Sequence, residues 1–343
     1  MSDVRRWYRV ALGSLAVALA GAAGPVHAQS VEQFYKGNTI TFLLGQPPGG
    51  SYDLYAKLAA DHLKRFIPGG PNILVQHKPG GGGAVAVAFF HEQAPRDGSM
   101  LGLFAETIGH TQLVDPAVGK WKMEEMTYLG SMTTINAAVV RRKDSPAKTI
   151  EEMKRVEMNV GCTGKTSQSY QTASMLKTLV GMKFKLVCGY PGSAEYVLAM
   201  ERGELDAVSS AWAQWISGHP QLFQSGQFVP FIQTGLKRHK DLPNIPLAQD
   251  LVDDPKIKTV FEFASAGAAI GRALLAPPKV PQDRIEALRA AFDKMVRDPE
   301  FIADAAKRRA ELDPTPGAEV QKASLAIINA PKDVVDLAAK AMQ

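Results

Sequence analysis

Residues 40–63 read ITFLLGQPPGGSYDLYAKLAADHL, and this stretch decides the fold. With Thr39, its first residues make a short β-rich run, closed by Gly45-Gln46-Pro47-Pro48-Gly49-Gly50. From residue 52 to 66, Leu54, Tyr55, Leu58, Ala59, Leu63 and Phe66 recur close to helical spacing. Strand, glycine-proline turn and helix in that order begin a βαβ unit. The next segments continue it: a strand at 73–76, a glycine loop at 80–83, a helix at 84–92 and a strand at 100–104. That order predicts a parallel sheet with helices on both faces.

Further along, residues 126–140 contain a long β-type stretch, and 146–154 form a helix with Thr149 near its start. A second βαβαβ set follows, with strands at 158–162, 185–188 and 206–210 and helices at 169–180 and 194–202. Residues 228–234 are another β run, followed by a proline-rich segment through Pro246 and a β-like stretch at 273–276. An amphipathic helix is expected over 283–296, with Ile285, Leu288, Phe292 and Met295 on one stripe. Two more helices, near 299–309 and 319–328, are expected to finish the chain. Two α/β units with late elements returning to the first predict two lobes joined by crossing strands. Open α/β sheets bind ligands at the carboxyl ends of their strands, and two such edges facing each other form a cleft.

Composition narrows the function. The chain is 45% hydrophobic and 21% charged, which excludes a disordered protein. Two cysteines among 343 residues exclude a disulfide scaffold and a four-cysteine zinc site. A net charge of +5 without a basic cluster gives no nucleic-acid footprint. Arg5, Arg6 and Arg9, the uncharged run at 10–24 and Val26-His27-Ala28 make residues 1–28 a secretory signal peptide, cleaved after Ala28. The run is shorter than the ~20 residues of a spanning helix. The most apolar later segment, 263–277, is interrupted by Arg272. The mature chain is therefore expected to be soluble in an oxidising compartment. Loss of three arginines and Asp3 lowers its charge to +3.

Catalytic motifs fail one by one. Gly164-Lys165-Thr166 ends like a phosphate loop, but Asn159 stands where the first glycine is required. Residues 81–86 fit G-x-G-x-x-A with Glu106 downstream, yet they follow the second strand rather than the first. Residues 49–53 approach G-x-S-x-G and end on Asp53. The histidines show no H-E-x-x-H, and Glu124-Glu125, Glu151-Glu152 and Asp253-Asp254 are adjacent rather than convergent. No catalytic constellation, metal or cofactor is expected.

What remains is a set of small-residue loops, each after a strand and opening a helix: 48–53, Glu106-Thr107, 164–169 and 190–193. Helix N-termini present unpaired N–H groups that suit carboxylates. Ser51, Thr107 and Ser193 are either donors to a ligand or N-caps. Lys165 is either a charge partner or a surface lysine. Tyr52, Tyr170, Tyr190 and Trp212 either stack on an aromatic acid or pack in the core or rim. Cys162 and Cys188 end neighbouring strands and are either a disulfide or buried thiols.

These loops and their surroundings resemble the solute-binding receptors of tripartite tricarboxylate transporters, the Bug family of periplasmic binding proteins. The carriers are residues 40–63, then VQHKPGGGGAVAVAFF (75–90), APRDGSMLGL (94–103), GYPGSAEYVLAMERGELDA (189–207), LPNIPLAQDL (242–251) and APPKVPQDRIEALRAAFDKMVRDPEF (276–301). The resemblance implies a two-lobed, type II Venus-flytrap fold with crossed hinge strands. Lobe 1 would span 29–137 and 235–343, and lobe 2 would span 138–234. It implies a monomer that clamps a small carboxylate and hands it to the permease subunits of such a transporter. It places ligand contacts on Gly50, Ser51 and Asp53 in the first lobe, and on Thr166, Ser167, Ser169, Gly192 and Ser193 in the second. Tyr52, Thr107, Tyr190 and Trp212 complete the candidate ligand set. Asp53 would repel a carboxylate unless it points away or caps the helix; otherwise it receives an amine or hydroxyl. Two other readings are a sensing receptor and a secreted hydrolase with Ser51 or Ser193 as nucleophile, which lacks a histidine-acid partner pattern.

Overall fold

A computed structural model of the chain describes residues 29–342. The signal-peptide reading of residues 1–28 lies outside the described residues. Helix α1 (Val31–Tyr35) leads into β1 (Thr39–Leu44), α2 (Ser51–Leu63), β2 (Asn72–His77), α3 (Ala84–Gln93), β3 (Met100–Leu103), α4 (Ile108–Val114) and β4 (Thr127–Ser131). A second run follows: β5 (Ala137–Arg142), α5 (Ile150–Met153), β6 (Met158–Cys162), α6 (Gln168–Leu179), β7 (Phe184–Cys188), α7 (Ser193–Glu201), β8 (Ala207–Ala211), α8 (Trp212–Gly218), α9 (Pro220–Gln224) and β9 (Phe228–Thr234). The chain then returns through α10 (Pro255–Ser265), β10 (Ala273–Ala276), α11 (Gln282–Met295), α12 (Pro299–Lys307), β11 (Thr315–Pro316), α13 (Gly317–Ile328) and α14 (Lys332–Ala341).

The strands form two sheets, ordered β11-β4-β10-β3-β1-β2 and β7-β6-β8-β5-β9. β1 lies parallel between β2 and β3, and β6 lies parallel between β7 and β8. Both sheets are mixed: β10 runs antiparallel between β3 and β4, and β5 antiparallel between β8 and β9. The expected long β stretch at 126–140 is in fact two strands in different sheets. Residues 132–136 between them carry the chain from one sheet to the other. The helices near 299–309 and 319–328 do not end the described chain, because α14 follows and its Ala341 carbonyl accepts from Ser174 Oγ on α6.

Local chemistry explains the elements. Thr149 caps α5 in a capping box with Glu152, satisfying two otherwise unpaired N–H groups. On α11, Ile285, Leu288, Phe292 and Met295 are fully buried against the first sheet. Each such burial is worth about 1.5–3 kcal/mol, which returns the late chain to the early sheet. No helix among the described residues is long and apolar enough to cross a membrane.

Polar groups tie the crossing segments together. The buried Gln233 Nε2 donates to the carbonyls of Leu242 and Ile245, and its Oε1 accepts from the His239 amide. Beside it, Glu311 accepts from His239 Nε2 at 3.1 Å and pairs with Lys240 at 3.0 Å. The His239 hydrogen bond first, then Lys240, hold its carboxyl down at about 2, against an ordinary 4.5 and against the opposing effect of burial. A depressed acid stabilises the fold above its unfolded pKa and loses that contribution as pH falls toward the folded one. Glu311→Gln is therefore expected to lower stability near pH 7 by about 1 kcal/mol. The difference should shrink as pH drops from 4.5 to about 2, checked by urea melts across pH.

Cys162 and Cys188 stand opposite each other in the β6–β7 register and are joined as a disulfide. Closing a loop of 26 residues is worth about 3.5 kcal/mol in the chain-entropy description. Denatured, unreduced protein should show no free thiol, and the double alanine variant should lose about that stability. Two free thiols without reductant would contradict the pairing.

Candidate functional site

The carboxyl ends of both sheets face one cleft, a cavity of about 110 Å³. Its walls come from the β1–α2 loop, the glycine turn before α3, the end of β3, the β6–α6 and β7–α7 loops, the end of β8, and Arg272 just before β10.

Two helices open onto this cleft with glycine caps. Gly50 caps α2 and Gly192 caps α7, and neither terminus receives a side-chain capping bond. Ser51 and Ser193 are thus the first helical residues rather than the N-caps, and Ser193 reaches the Tyr196 hydroxyl one turn on. A Cβ on Gly50 would lie 3.2 Å from Ser193 Oγ, so the two termini approach each other across the gap. The third terminus, α6, is capped by Ser167, which accepts from the Tyr170 amide and lies 3.0 Å from Ser169 Oγ.

Arg272 organises the first wall. It is 2% exposed, and its guanidinium lies over the Tyr52 ring, 3.8 Å from the centroid. Nε and Nη2 both donate to Ser51 Oγ, at 3.2 and 2.7 Å. Nη1 donates to Glu106 Oε2 at 3.2 Å, and the Tyr52 hydroxyl donates to the same oxygen. Burial first, opposed by Arg272 and reinforced by Glu106, pushes the Tyr52 hydroxyl well above its ordinary range, so it remains a donor. Both acceptor sites of Ser51 are filled by Arg272, so its one proton is left to donate. In the opposite wall, burial raises the Tyr196 hydroxyl to about 12, and it lies 3.0 Å from Ser210 Oγ.

The candidate residues divide accordingly. Gly50, Ser51, Tyr52, Ser167, Ser169, Gly192 and Ser193 line the cleft together. Asp53 does not: its Oδ2 accepts from the Gly49 amide and from Lys57, and Oδ1 lies 3.1 Å from His77 Nε2. Burial opposes its ionisation, but Lys57 and the Gly49 N–H outweigh that and hold the carboxyl below its ordinary range. Asp53 therefore points away, onto its own helix start. Thr107 and Thr166 lie in the seam between the two bodies, with Thr107 Oγ1 donating to the Thr166 carbonyl and Thr166 Oγ1 to the Gly81 carbonyl. Trp212 sits at the crossing segments, its Nε1 donating to Asp241. Tyr190 packs on the edge of the second body's core, Tyr170 is buried on α6, and Lys165 is exposed outside the lining. No histidine stands in the lining among the described residues.

Sequence reasoning missed Arg272, Gln214, Ser209 and Ser210, and weighed Glu106 as part of a loop and as the acid downstream of a rejected glycine motif. Arg272 carried one signal, a lone charge in the apolar run 263–277.

The seam is tight. A Cβ on Gly164 would stand 2.5 Å from the Gly82 nitrogen, and one on Gly82, at φ +75°, would stand 2.6 Å from Thr166 Oγ1. The glycine turn of the first body docks directly on the β6–α6 loop of the second.

Two mixed α/β bodies over a cleft make the fold of periplasmic binding proteins. Structural comparison shows the same fold: the protein is similar to the periplasmic binding protein BugD (TM-score 0.70, 18% identity, covering 90% of this chain and 98% of that one). It is also similar to MatC from Rhodopseudomonas palustris with bound malate (TM-score 0.68, 18% identity, 87% and 99% covered). A further R. palustris structure, with adipate, is similar too (TM-score 0.69, 18% identity, 88% and 97% covered). Among curated sequences, a UPF0065 protein of the gbd 5′ region in Cupriavidus necator is 23% identical over 308 residues, 87% of this chain and 86% of that one. Residues 56–327 match the tripartite tricarboxylate transporter family receptor, and the chain belongs to that family. It is a family of solute-binding receptors rather than enzymes.

Proposed function

We propose that this receptor captures a small organic acid in the cleft and delivers it to the permease subunits of a tripartite tricarboxylate-type transporter. It acts as a monomer in the periplasm after removal of residues 1–28. Residues 29–137 with 235–343 form one lobe and residues 138–234 the other, and they close on the ligand by hinge motion. The observation that carries this reading is Ser51. Arg272 fills both its acceptor sites, and it stands at a glycine-capped helix start facing the equally uncapped start of α7. A carboxylate there receives the Ser51 proton and the free N–H groups of two helices, each end carrying partial positive charge. The malate and adipate in two structural neighbours accord with a carboxylate ligand. A cavity of about 110 Å³ favours a compact acid.

The test is a thermal-shift screen of mono-, di- and tricarboxylates, sugars and cationic amines. A bound acid at about 100 times its dissociation constant adds about 2.7 kcal/mol to stability. Ser51→Ala should weaken that acid about tenfold, the worth of one hydrogen bond to a charged group. Shifts produced by sugars or amines and by no carboxylate would overturn the reading.

A further inference from the structure

Arg272 and Glu106 are the only charged side chains in the cleft lining among the described residues, and they pair with each other. The lining therefore offers no net charge to a polyanion. It also holds unused acceptors. Glu106 is 7% exposed; its Oε2 takes the Tyr52 hydroxyl and Arg272 Nη1, while no described protein donor reaches Oε1. Gln46, in the same lining, has a buried Oε1 with no hydrogen-bond partner. Tyr52 cannot serve both needs, because its proton already goes to Glu106. A ligand with carboxylates alone would set an anion against the Glu106 carboxylate and leave these acceptors unpaired, and both effects cost free energy.

We infer that the ligand is an acid carrying a second polar group that donates, a hydroxyl or an ammonium, seated against the free Oε1 of Glu106. Glu106 is then the residue that selects substituted over unsubstituted acids, while Ser51 and the helix ends hold the carboxylate. This inference rests on the carboxylate reading above.

The experiment is calorimetric titration with matched triplets: propionate, lactate and alanine, then succinate, malate and aspartate. Wild type and Glu106→Gln are titrated side by side. In the triplet that binds, the hydroxyl or amino member should bind wild type about tenfold or more tighter than the unsubstituted acid. A preference for the amino member assigns the ammonium, and one for the hydroxy member the hydroxyl. Glu106→Gln should lose that preference. It should bind the unsubstituted acid at least as tightly as wild type does, which only a folded variant can do. An unsubstituted acid equal to its partners in wild type, or a preference that survives in Glu106→Gln, overturns the inference and leaves the carboxylate reading standing. No binding by any of the six acids overturns this inference, and the carboxylate reading is then judged by the wider acid screen.

Discussion

Replacing Arg272 with methionine should abolish ligand binding and cost about 3–5 kcal/mol of stability. Arg272 is 2% exposed, and its removal strands the Glu106 carboxylate and leaves Ser51 Oγ without its two donors. Breaking a buried ion pair from one side is costly because the remaining charge has neither water nor partner. Removing both charges is often neutral or better. The paired variant Arg272→Met with Glu106→Gln should therefore recover most of the stability in denaturant melts and none of the binding. Without Arg272, Ser51 is no longer fixed as a donor and the cleft has no cation. If the single variant melts like wild type, or the paired variant binds the wild-type ligand normally, Arg272 does not have this role.

Substituting alanine at Gly164 should lower ligand affinity about a hundredfold while leaving the two lobes folded. Gly164 does not have a positive φ, so alanine fits its backbone as it stands. The added Cβ would collide with backbone atoms of Gly82 and Gly81 across the seam, at 2.5 and 2.7 Å, and backbone cannot swing aside as a side-chain tip can. The strain exists only when the lobes are together, so the substitution penalises closure alone. If only about 1% of the chains can close, apparent affinity falls by that factor. Small-angle scattering should show the variant remaining open at ligand concentrations that compact the wild type. Loss of stability with unchanged closure would place the effect inside a lobe instead.

The fold was legible because its periodic signals are local. The strand and helix of residues 39–63, the second βαβαβ set and the buried stripe of α11 all follow from residue spacing within one element. The crossing was not legible. Residues 126–140 are β-rich throughout, and nothing local says that Ser131 and Ala137 belong to different sheets. The helices α1, α8, α9, α10 and α14 escaped because the coarse pattern was followed only where apolar spacing was strong.

The site divides along the same line. The loops were readable, since small residues between strand and helix mark the carboxyl edges of the sheets. Which side chains face the cleft was not, because that depends on contacts between distant segments. Arg272 reaches Ser51 across 221 positions of sequence. Asp53 is one helical step from a lining residue yet turns toward Lys57 and His77. Thr107 and Thr166 have the residue types of ligand donors but spend their hydroxyls on carbonyls in the seam. Trp212 and Tyr190 follow strands that end at the cleft, and packing draws their rings away from it.

The central claim, a carboxylate held between the starts of α2 and α7, is tested most directly by a crystal structure with the tightest-binding acid from the screen. The account predicts density for the acid in the cleft, with a carboxylate oxygen within hydrogen-bonding distance of Ser51 Oγ and of the amides that open α7. An acid found elsewhere, or seated in the cleft with its carboxylate turned away from both helix starts, would contradict it.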